Sequence, residues 1–502
     1  MELLWIVLQK ISKKIDVVAL PIKTLLLMGF IEIFATQTGL TPAVNAAPVL
    51  AKSADAFVDS IGVNTHLGYG NTPYSTHNTI KQKLLALGVR HIRDSGSSDD
   101  VIAKMKDLAA AGIKTNYIES PVSGVRPNST YWVNPPVANK PGYNVVDFVK
   151  KVGTNVIDSV EVLNEIDINY NNYYWHPGDT AKVNNNPSSS LYWLAYVRSV
   201  TKDTWTALKN DPTTAGVKVI GPSLGETYSY DNKSPLGDLS GYVDAGNFHP
   251  YPDCGNPFNN PFSYDTINQY YWKGNFPSIN IDEHPYAFNV YGLPFGSKPM
   301  VATETGYNTS TASYGISKRM QGKYMPRLFL EYFRLGIVRT FSYEFVDEAN
   351  DPSNPEANFG LLHNDLTPKP TYTALQNLIS VLNDPGSNFT PTSLDYTLTV
   401  TPPAGYNLTQ NVHNLLLQKR DGTFYLVLWH EISNGDISSP SVREIIPPVM
   451  PTTVTLNTPI SSATLYSLDD SGNMSSSTAS TLNNTIRLNV TDKAMILKLK
   501  VF

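Results

Sequence analysis

Two glutamates stand where the chain could perform acid–base and nucleophilic chemistry, each at the end of an apolar run. Glu165 ends the run 160–165 (VEVLNE), and Glu304 lies within 300–306 (MVATETG). A lone unpaired carboxylate after a buried-type run is costly, so both positions indicate a site. One protonated and one ionised carboxyl group about 5 to 5.5 Å apart can cleave a glycosidic bond with retention of configuration. A separation of about 6.5 to 9.5 Å would indicate inversion, and the sequence leaves that alternative open.

The elements that must position these glutamates have the pattern of βα units around a parallel sheet. Eight apolar or β-branched runs alternate with helical patterns, which fits a (β/α)8 TIM barrel better than an open doubly wound sheet. The predicted strands are 57–65, 89–94, 113–118, 157–164, 217–221, 245–249, 300–304 and 338–345. Catalytic groups of such barrels sit at the carboxyl ends of strands, which is where both glutamates fall.

The character of the sequence changes after residue 384, where period-two alternation replaces helical spacing. The strands predicted there are 415–418, 424–429, 454–457, 485–490 and 495–501. Asp421 and Gly422, between two of these runs, indicate a hairpin. We therefore expect the α/β class, with a (β/α)8-barrel catalytic domain at 48–384 and a small antiparallel β domain of the β-sandwich type at 385–502.

The first 47 residues predict an export signal or leader. Four lysines precede an apolar run at 25–34 that Glu32 interrupts, and residues 44–47 (VNAA) resemble a cleavage site. The run is too short to span a bilayer comfortably, although a membrane anchor or a misassigned start codon remains an alternative. We expect a secreted or otherwise extracytoplasmic protein, in the periplasm or at the cell surface, without stable membrane insertion after processing.

Composition narrows the class of partner. Charged residues make up only 16% of the chain, against roughly 25% in an average soluble protein, while tyrosine is abundant with 29 copies. The net charge is −5 and no basic cluster is present, which argues against nucleic acid and favours a carbohydrate partner. The single cysteine, Cys254, excludes an internal disulfide. No Gly-rich phosphate loop and no His-Glu-x-x-His motif occur, so neither a cofactor nor a catalytic metal is expected. The oligomeric state is left open.

Asn164 and Glu165 at the end of the fourth strand and Glu304 at the end of the seventh resemble clan A, the large clan of retaining barrel glycoside hydrolases. The resemblance covers roughly residues 57–380, and families 5, 30 and 39 of the clan remain open. In the last two a β-sandwich packs beside the barrel. The resemblance implies that Glu165 is the acid/base, that Glu304 is the nucleophile and that Asn164 holds the sugar 2-hydroxyl.

Two further motifs carry the same resemblance. Residues 244–251 (DAGNFHPY) are similar to the clan's strand-six His-x-Tyr, which makes His249 and Tyr251 candidates and implies that Tyr251 hydrogen-bonds the nucleophile. Arg93, within 90–94 (RHIRD), matches the clan's strand-two arginine, whose positive charge keeps the nucleophile ionised.

The sequence departs from the clan's pattern on strands three and eight. Strand eight reads TFSYEF at 340–345, so Tyr343 or Phe345 replaces the tryptophan that often stacks on the sugar. Strand three ends in NYIE at 116–119, without the histidine of some families. These departures leave the individual family open.

The pattern as a whole predicts a retaining glycoside hydrolase acting on β-linked poly- or oligosaccharides. The alternative is a non-catalytic carbohydrate-binding or cell-wall-associated protein on a degenerate hydrolase barrel. Degeneration usually removes part of a catalytic set, and here the set is complete. For single residues, Arg93 could instead pair with Asp94 or Glu119, and His249 and Tyr251 could simply pack in the core.

Overall fold

The computed structural model describes residues 48–120, 124–127, 142–166, 191–225, 236–252, 255–257, 291–312, 314–404, 411–436 and 442–502. The predicted leader at 1–47 and Cys254 lie outside these residues. Residues 48–502 form one compact unit. No helix among the residues that the structure describes is long and apolar enough to cross a membrane.

Eight parallel strands form the predicted barrel. They are β1 Ile61–Asn64, β2 His91–Asp94, β3 Lys114–Glu119, β4 Ile157–Val162, β5 Lys218–Ile220, β6 Gly246–Phe248, β7 Met300–Thr305 and β8 Arg339–Ser342. The sheet runs in the order β6-β7-β8-β1-β2-β3-β4-β5. A parallel bridge between Ile220 and Ala245 joins the two edge strands. The barrel prediction is therefore confirmed.

Helices connect the strands around the outside of the barrel. They are α1 Ala54–Asp59, α2 His77–Leu87, α3 Asp99–Ala110, α4 Val145–Val152, α5 Leu191–Asn210, α6 Lys318–Arg334 and α7 Pro370–Leu382. The main apolar core lies between strands and helices, where Val160 and Val162 of β4 join Leu84 of α2 and Phe148 of α4. Because side chains alternate along a strand, the intervening residue Glu161 points into the barrel.

The first predicted strand, 57–65, is wrong in its first half. Residues Ala54–Asp59 form the helix α1, and β1 begins only at Ile61. Ser53 caps this helix, since its side chain accepts a hydrogen bond from the Ala56 backbone N–H at 3.2 Å. The cap and the acidic Asp55 in the first turn outweigh the β propensity of Phe57 and its neighbour.

The C-terminal region consists of antiparallel strands, as predicted. They are β9 Tyr396–Val400, β10 Val412–Gln418, β11 Phe424–His430, β12 Met450–Leu456, β13 Ile460–Leu468, β14 Met474–Thr478, β15 Thr485–Val490 and β16 Met495–Val501. One sheet has the order β10-β11-β16-β13-β14 and the other β9-β12-β15. Leu426 and Leu497 of the first sheet share one apolar cluster with Val454 and Ile486 of the second.

The β domain also receives strands from the start of the described chain. Lys52–Ser53 pairs in parallel with β10, and Val49–Leu50 pairs with Ser393–Leu394. Lys52–Ser53 thus adds a strand to one sheet of the β domain before the chain enters the barrel, and Val49–Leu50 forms a separate two-stranded sheet with Ser393–Leu394. The division at 384/385 stays a prediction.

Candidate active site

The site residues predicted from the sequence meet at the carboxyl ends of the barrel strands. Arg93 lies on β2, Asn164 and Glu165 follow β4, His249 and Tyr251 follow β6, Glu304 lies on β7, and Tyr343 follows β8. Parallel strands end at the same rim of a barrel, so residues separated by more than 200 positions become neighbours. Direct contacts link all of these side chains.

Glu304 is a buried carboxylate with a donor on each oxygen. Arg93 Nη1 donates to Oε1 at 2.5 Å, and the Tyr251 hydroxyl donates to Oε2 at 2.8 Å. His249 Nδ1 lies 3.7 Å from Oε2. Burial by itself raises the pKa of Glu304, but the charges of His249 and Arg93 and the Tyr251 hydrogen bond outweigh burial, so the pKa is lowered. Glu304 is therefore held in its ionised form.

Glu165 faces Glu304 from the end of β4. His249 Nδ1 lies 2.7 Å from Glu165 Oε1, and the Glu165 side chain is 19% exposed. One carboxylate oxygen of Glu165, one of Glu304 and a ring nitrogen of His249 all lie within 4.8 Å of one another. The backbone reaches this position through positive φ angles of 65° at Leu163 and 45° at Glu165. Such angles are uncommon for residues other than glycine and occur often at functional sites.

Arg93 connects Glu304 on β7 with the residues of β4 and the segment that follows it. Besides Glu304, its guanidinium donates to Asn164 Oδ1 at 2.6 Å, to Asn64 Oδ1 at 2.9 Å and to both oxygens of Glu161 at 2.7 Å. Arg93 is 2% exposed. Its ion-pair partners are thus Glu161 and Glu304. Asp94 and Glu119, the alternative partners that the sequence allowed, are not among them.

Those alternative partners have other contacts. Asp94 accepts hydrogen bonds from Thr65 Oγ1 at 2.5 Å and from the Leu67 backbone N–H at 2.9 Å. Glu119 accepts one from Thr204 Oγ1 at 2.5 Å.

Sequence reasoning missed Glu161. This fully buried carboxylate also accepts hydrogen bonds from Asn116 Nδ2 at 2.8 Å and from Thr303 Oγ1 at 3.0 Å. The sequence did contain a signal for Glu161, which lies between Val160 and Val162. Because both valines face outward, the charged side chain between them faces into the barrel and needs a buried partner there.

His249 bridges Glu165 and the polar interior of the barrel. Its Nε2 lies 2.9 Å from Thr303 Oγ1, whose hydroxyl hydrogen goes to Glu161 Oε1. Burial lowers the pKa of His249, but the charges of Glu304 and Glu165 outweigh burial and the repulsion of Arg93, so the pKa is raised. A protonated ring donates from Nδ1 to Glu165, which fixes the orientation of that carboxyl group.

Tyr343 belongs to an aromatic wall beside Glu304. Its ring meets Tyr251 and Phe359 edge-to-face, with centroids 6.5 and 5.5 Å apart. Gly306 lets the backbone after β7 pass close to the Tyr343 backbone, because a Cβ at position 306 would lie 2.2 Å from the Tyr343 carbonyl oxygen. Phe345, the other candidate platform from the sequence, is fully buried and packs near Tyr372, so it is excluded.

Groups of histidine and carboxylate that could ligate a metal ion occur at the site and beside it. In the group of Glu165, His249 and Glu304, both oxygens of Glu304 already accept hydrogen bonds, which makes this group a poor metal site. The neighbouring group of His66, Glu344 and Glu348 was missed from the sequence. Burial and the charge of Glu348 raise the pKa of Glu344 well above its usual range, which favours a protonated carboxyl group there.

Comparison with known proteins gives matches by structure alone. No family model matches the chain, and no curated protein matches it by sequence. A family 39 glycoside hydrolase from Bacteroides cellulosilyticus WH2 is similar to it with a TM-score of 0.54 and 16% identity, over 90% of this chain and 83% of the other. A monomeric β-xylosidase from Caulobacter crescentus CB15 matches with a TM-score of 0.51 and 14% identity, over 91% and 98%.

A glucosidase from Croceicoccus marinus also matches, with a TM-score of 0.51 and 11% identity, over 91% of this chain and 98% of the other. The fold of this chain is therefore a (β/α)8 barrel with an antiparallel β domain, and these glycoside hydrolases share it. At these identities the likeness shows the fold alone, and at that level the resemblance to clan A is confirmed.

Proposed function

We propose that the protein is a retaining glycoside hydrolase that cleaves β-glycosidic bonds in poly- or oligosaccharides. The observation that carries this proposal is the pairing of Glu165 with an ionised Glu304 at a barrel rim, with one oxygen of each within 4.8 Å. This closeness supports retention, for which about 5 to 5.5 Å between carboxyl groups is typical, over inversion at about 6.5 to 9.5 Å.

In the first step, a Glu304 oxygen attacks the anomeric carbon and forms a glycosyl ester while the bond to the leaving oxygen breaks. Glu165 gives its proton to that oxygen, so the aglycone leaves as a neutral alcohol. The hydrogen bonds from Arg93 and Tyr251 keep Glu304 ionised until the attack.

In the second step, the now ionised Glu165 removes a proton from water, and the water oxygen attacks the anomeric carbon and displaces Glu304. Two inversions at the same carbon restore the original configuration. His249 Nδ1 lies 2.7 Å from Glu165 Oε1 and, when the ring is protonated, donates to Glu165 and stabilises its negative charge in this state.

The roles of the two glutamates follow from their surroundings. Glu304 has strong donors on both oxygens, which suits a group that must stay ionised. Glu165 is more exposed, and its charge must change during the cycle. We also propose that the protein is exported from the cytoplasm, as the sequence of residues 1–47 predicts.

The test is an NMR measurement of the first sugar released from aryl β-glycosides and β-glycans by the full chain. The β anomer should appear first and then mutarotate, and this activity should vanish in Glu304→Gln. Glu444→Gln is the matched control, since that carboxylate pairs with Arg319, whose side chain is 50% exposed, and accepts a hydrogen bond from Ser317 Oγ at 3.1 Å. First appearance of the α anomer would establish inversion, and no turnover of any β-linked sugar would favour the non-catalytic alternative.

A further inference from the structure

The segment that follows β6 carries Tyr251 to the nucleophile and is anchored on both sides of that residue. On the near side, the Pro250 carbonyl accepts hydrogen bonds from Thr305 Oγ1 at 2.7 Å and from the Tyr332 hydroxyl at 3.1 Å. Thr305 lies on β7 and Tyr332 on α6. The barrel itself therefore supplies this first anchor.

The second anchor, on the far side, comes from the β domain. Asn256 Nδ2 donates to Glu431 Oε1 at 2.8 Å, and the two residues are 1% and 3% exposed. Glu431 directly follows β11, so the β domain reaches a segment 175 positions earlier in the chain. A buried amide–carboxylate hydrogen bond is charge-assisted and stronger than a neutral one.

Glu431 is itself fixed in place. Trp429 Nε1 donates to Oε2 at 2.8 Å, while Arg327 donates from Nη2 to Oε1 at 2.9 Å and from Nε to Oε2 at 3.2 Å. Arg327 is fully buried on α6, the helix that also carries Tyr332. A carboxylate held by several donors in a dry environment cannot move to follow the segment.

We propose that Asn256 and Glu431 are positioning residues, through which the C-terminal β domain holds the Tyr251 hydroxyl against Glu304. This inference rests on the proposed function, because its consequence for turnover requires the nucleophile. Tyr251 lies between the two anchors, and a shift of about 1 Å in a catalytic group can cost on the order of a hundredfold in rate. The β domain is thus a part of the catalytic apparatus.

The variant that tests the link is Asn256→Ala. It leaves Glu431 bonded to Arg327 and Trp429, so the domain interface keeps its buried ion pair. Asn377→Ala is the matched control, because Asn377 Nδ2 on α7 also donates to the β domain, at the Gly472 carbonyl at 2.9 Å, far along the chain from Tyr251.

Both substitutions are measured as kcat/KM in the native chain and in a Tyr251→Phe background. Asn256→Ala should lose about tenfold in the native chain, as expected for one catalytic hydrogen bond, and less than about twofold in Tyr251→Phe. Asn377→Ala should change little in either background. An equal loss from Asn256→Ala in both backgrounds would show a merely structural role and overturn the inference.

Hydrogen exchange on the full chain provides a readout that needs no activity. The backbone amides of His249, Tyr251, Gly255 and Asn256 should exchange about tenfold faster in Asn256→Ala than in the native chain. In Asn377→Ala the amides of these four residues should exchange at the native rate. Unchanged exchange in Asn256→Ala would overturn the inference even if the chain is active. A native chain that cleaves no glycoside would overturn the proposed function instead, and the exchange experiment would still decide whether Glu431 holds the segment.

Discussion

Arg93 donates from Nε and Nη2 to the two oxygens of Glu161, each at 2.7 Å, inside the barrel and shielded from solvent. A planar guanidinium that binds a carboxylate in this fork has one orientation. That orientation directs the remaining nitrogen, Nη1, to Glu304. Glu161 therefore sets the direction of the Arg93 charge that keeps Glu304 ionised.

Glu161→Ala should destabilise the fold strongly, because it leaves the buried Arg93 charge without its main partner. We expect a loss of about 3 to 5 kcal/mol in the free energy of unfolding, which is typical when one member of a buried ion pair is removed. Urea unfolding at neutral pH measures this loss. Asp99→Ala, which removes an exposed pair with Lys151, is the control and should leave the midpoint unchanged. A loss below about 1 kcal/mol for Glu161→Ala would contradict the structural role of the pair.

Tyr251→Phe should shift the acidic limb of the pH–rate profile to higher pH. Burial raises the pKa of Glu304, and His249, Arg93 and the Tyr251 hydrogen bond lower it, so loss of the hydroxyl removes one of the opposing contributions. Glu304 then becomes protonated at a higher pH. The profile of kcat/KM reports this ionisation in the free enzyme.

We also expect kcat/KM at the optimum to fall about tenfold or more in Tyr251→Phe, as for the loss of one hydrogen bond to a charged group. The control is Tyr372→Phe, whose hydroxyl donates to the Lys83 carbonyl away from the site. The account of Glu304 fails if the acidic limb stays in place in Tyr251→Phe or moves equally in the control.

Glu119→Gln should make the protein more stable at alkaline pH. Burial raises the pKa of Glu119 to about 8, although the Thr204 hydrogen bond acts in the opposite direction. The folded protein therefore retains a proton that the unfolded chain releases near pH 4.5, and the free energy of unfolding falls as the pH rises from about 4.5 to 8. Glutamine mimics the neutral acid and removes this loss.

The expected gain at pH 8 is a few kcal/mol, since each pKa unit corresponds to about 1.4 kcal/mol, and the gain should vanish at pH 4. Thermal or urea unfolding at both pH values measures it. Equal effects of Glu119→Gln at pH 4 and pH 8 would show that Glu119 is ionised in the folded protein.

Most of the candidate site could be predicted because the order of the strands in the sequence determines their positions around a (β/α)8 barrel. Glu165, Glu304, Arg93 and Tyr251 each follow or end a recognisable apolar run, and strand ends meet at one rim. Glu161 was missed because its partner, Arg93, is 68 positions away and only the inward orientation of both reveals the pair. The link from Asn256 to Glu431 was also unpredictable, since no periodicity connects a barrel loop with a strand of the β domain.

In the fold, too, some features follow from the local sequence and others depend on contacts between distant parts of the chain. Hydrophobic spacing placed the barrel strands within a few residues, except where the Ser53 cap turned the start of the first run into α1. The pairing of Lys52–Ser53 with β10 depends on contacts across more than 350 positions, for which the two residues carry no signal. Local patterns thus predicted the elements, and tertiary contacts decided how the β domain is attached.

The measurement that tests the central claim most directly is the configuration of the glycosyl azide formed by variants of the two glutamates. A small anion replaces whichever carboxylate is missing and attacks from the face that it leaves open. Glu304→Ala with azide should give a glycosyl azide of inverted configuration, because azide takes the place of the nucleophile. Glu165→Ala should still cleave an activated aryl β-glycoside and, with azide, give the retained configuration, because azide then displaces Glu304 from the glycosyl ester. Azide products of the same configuration from both variants, or full activity in both, would contradict the assignment of Glu304 as nucleophile and Glu165 as acid/base.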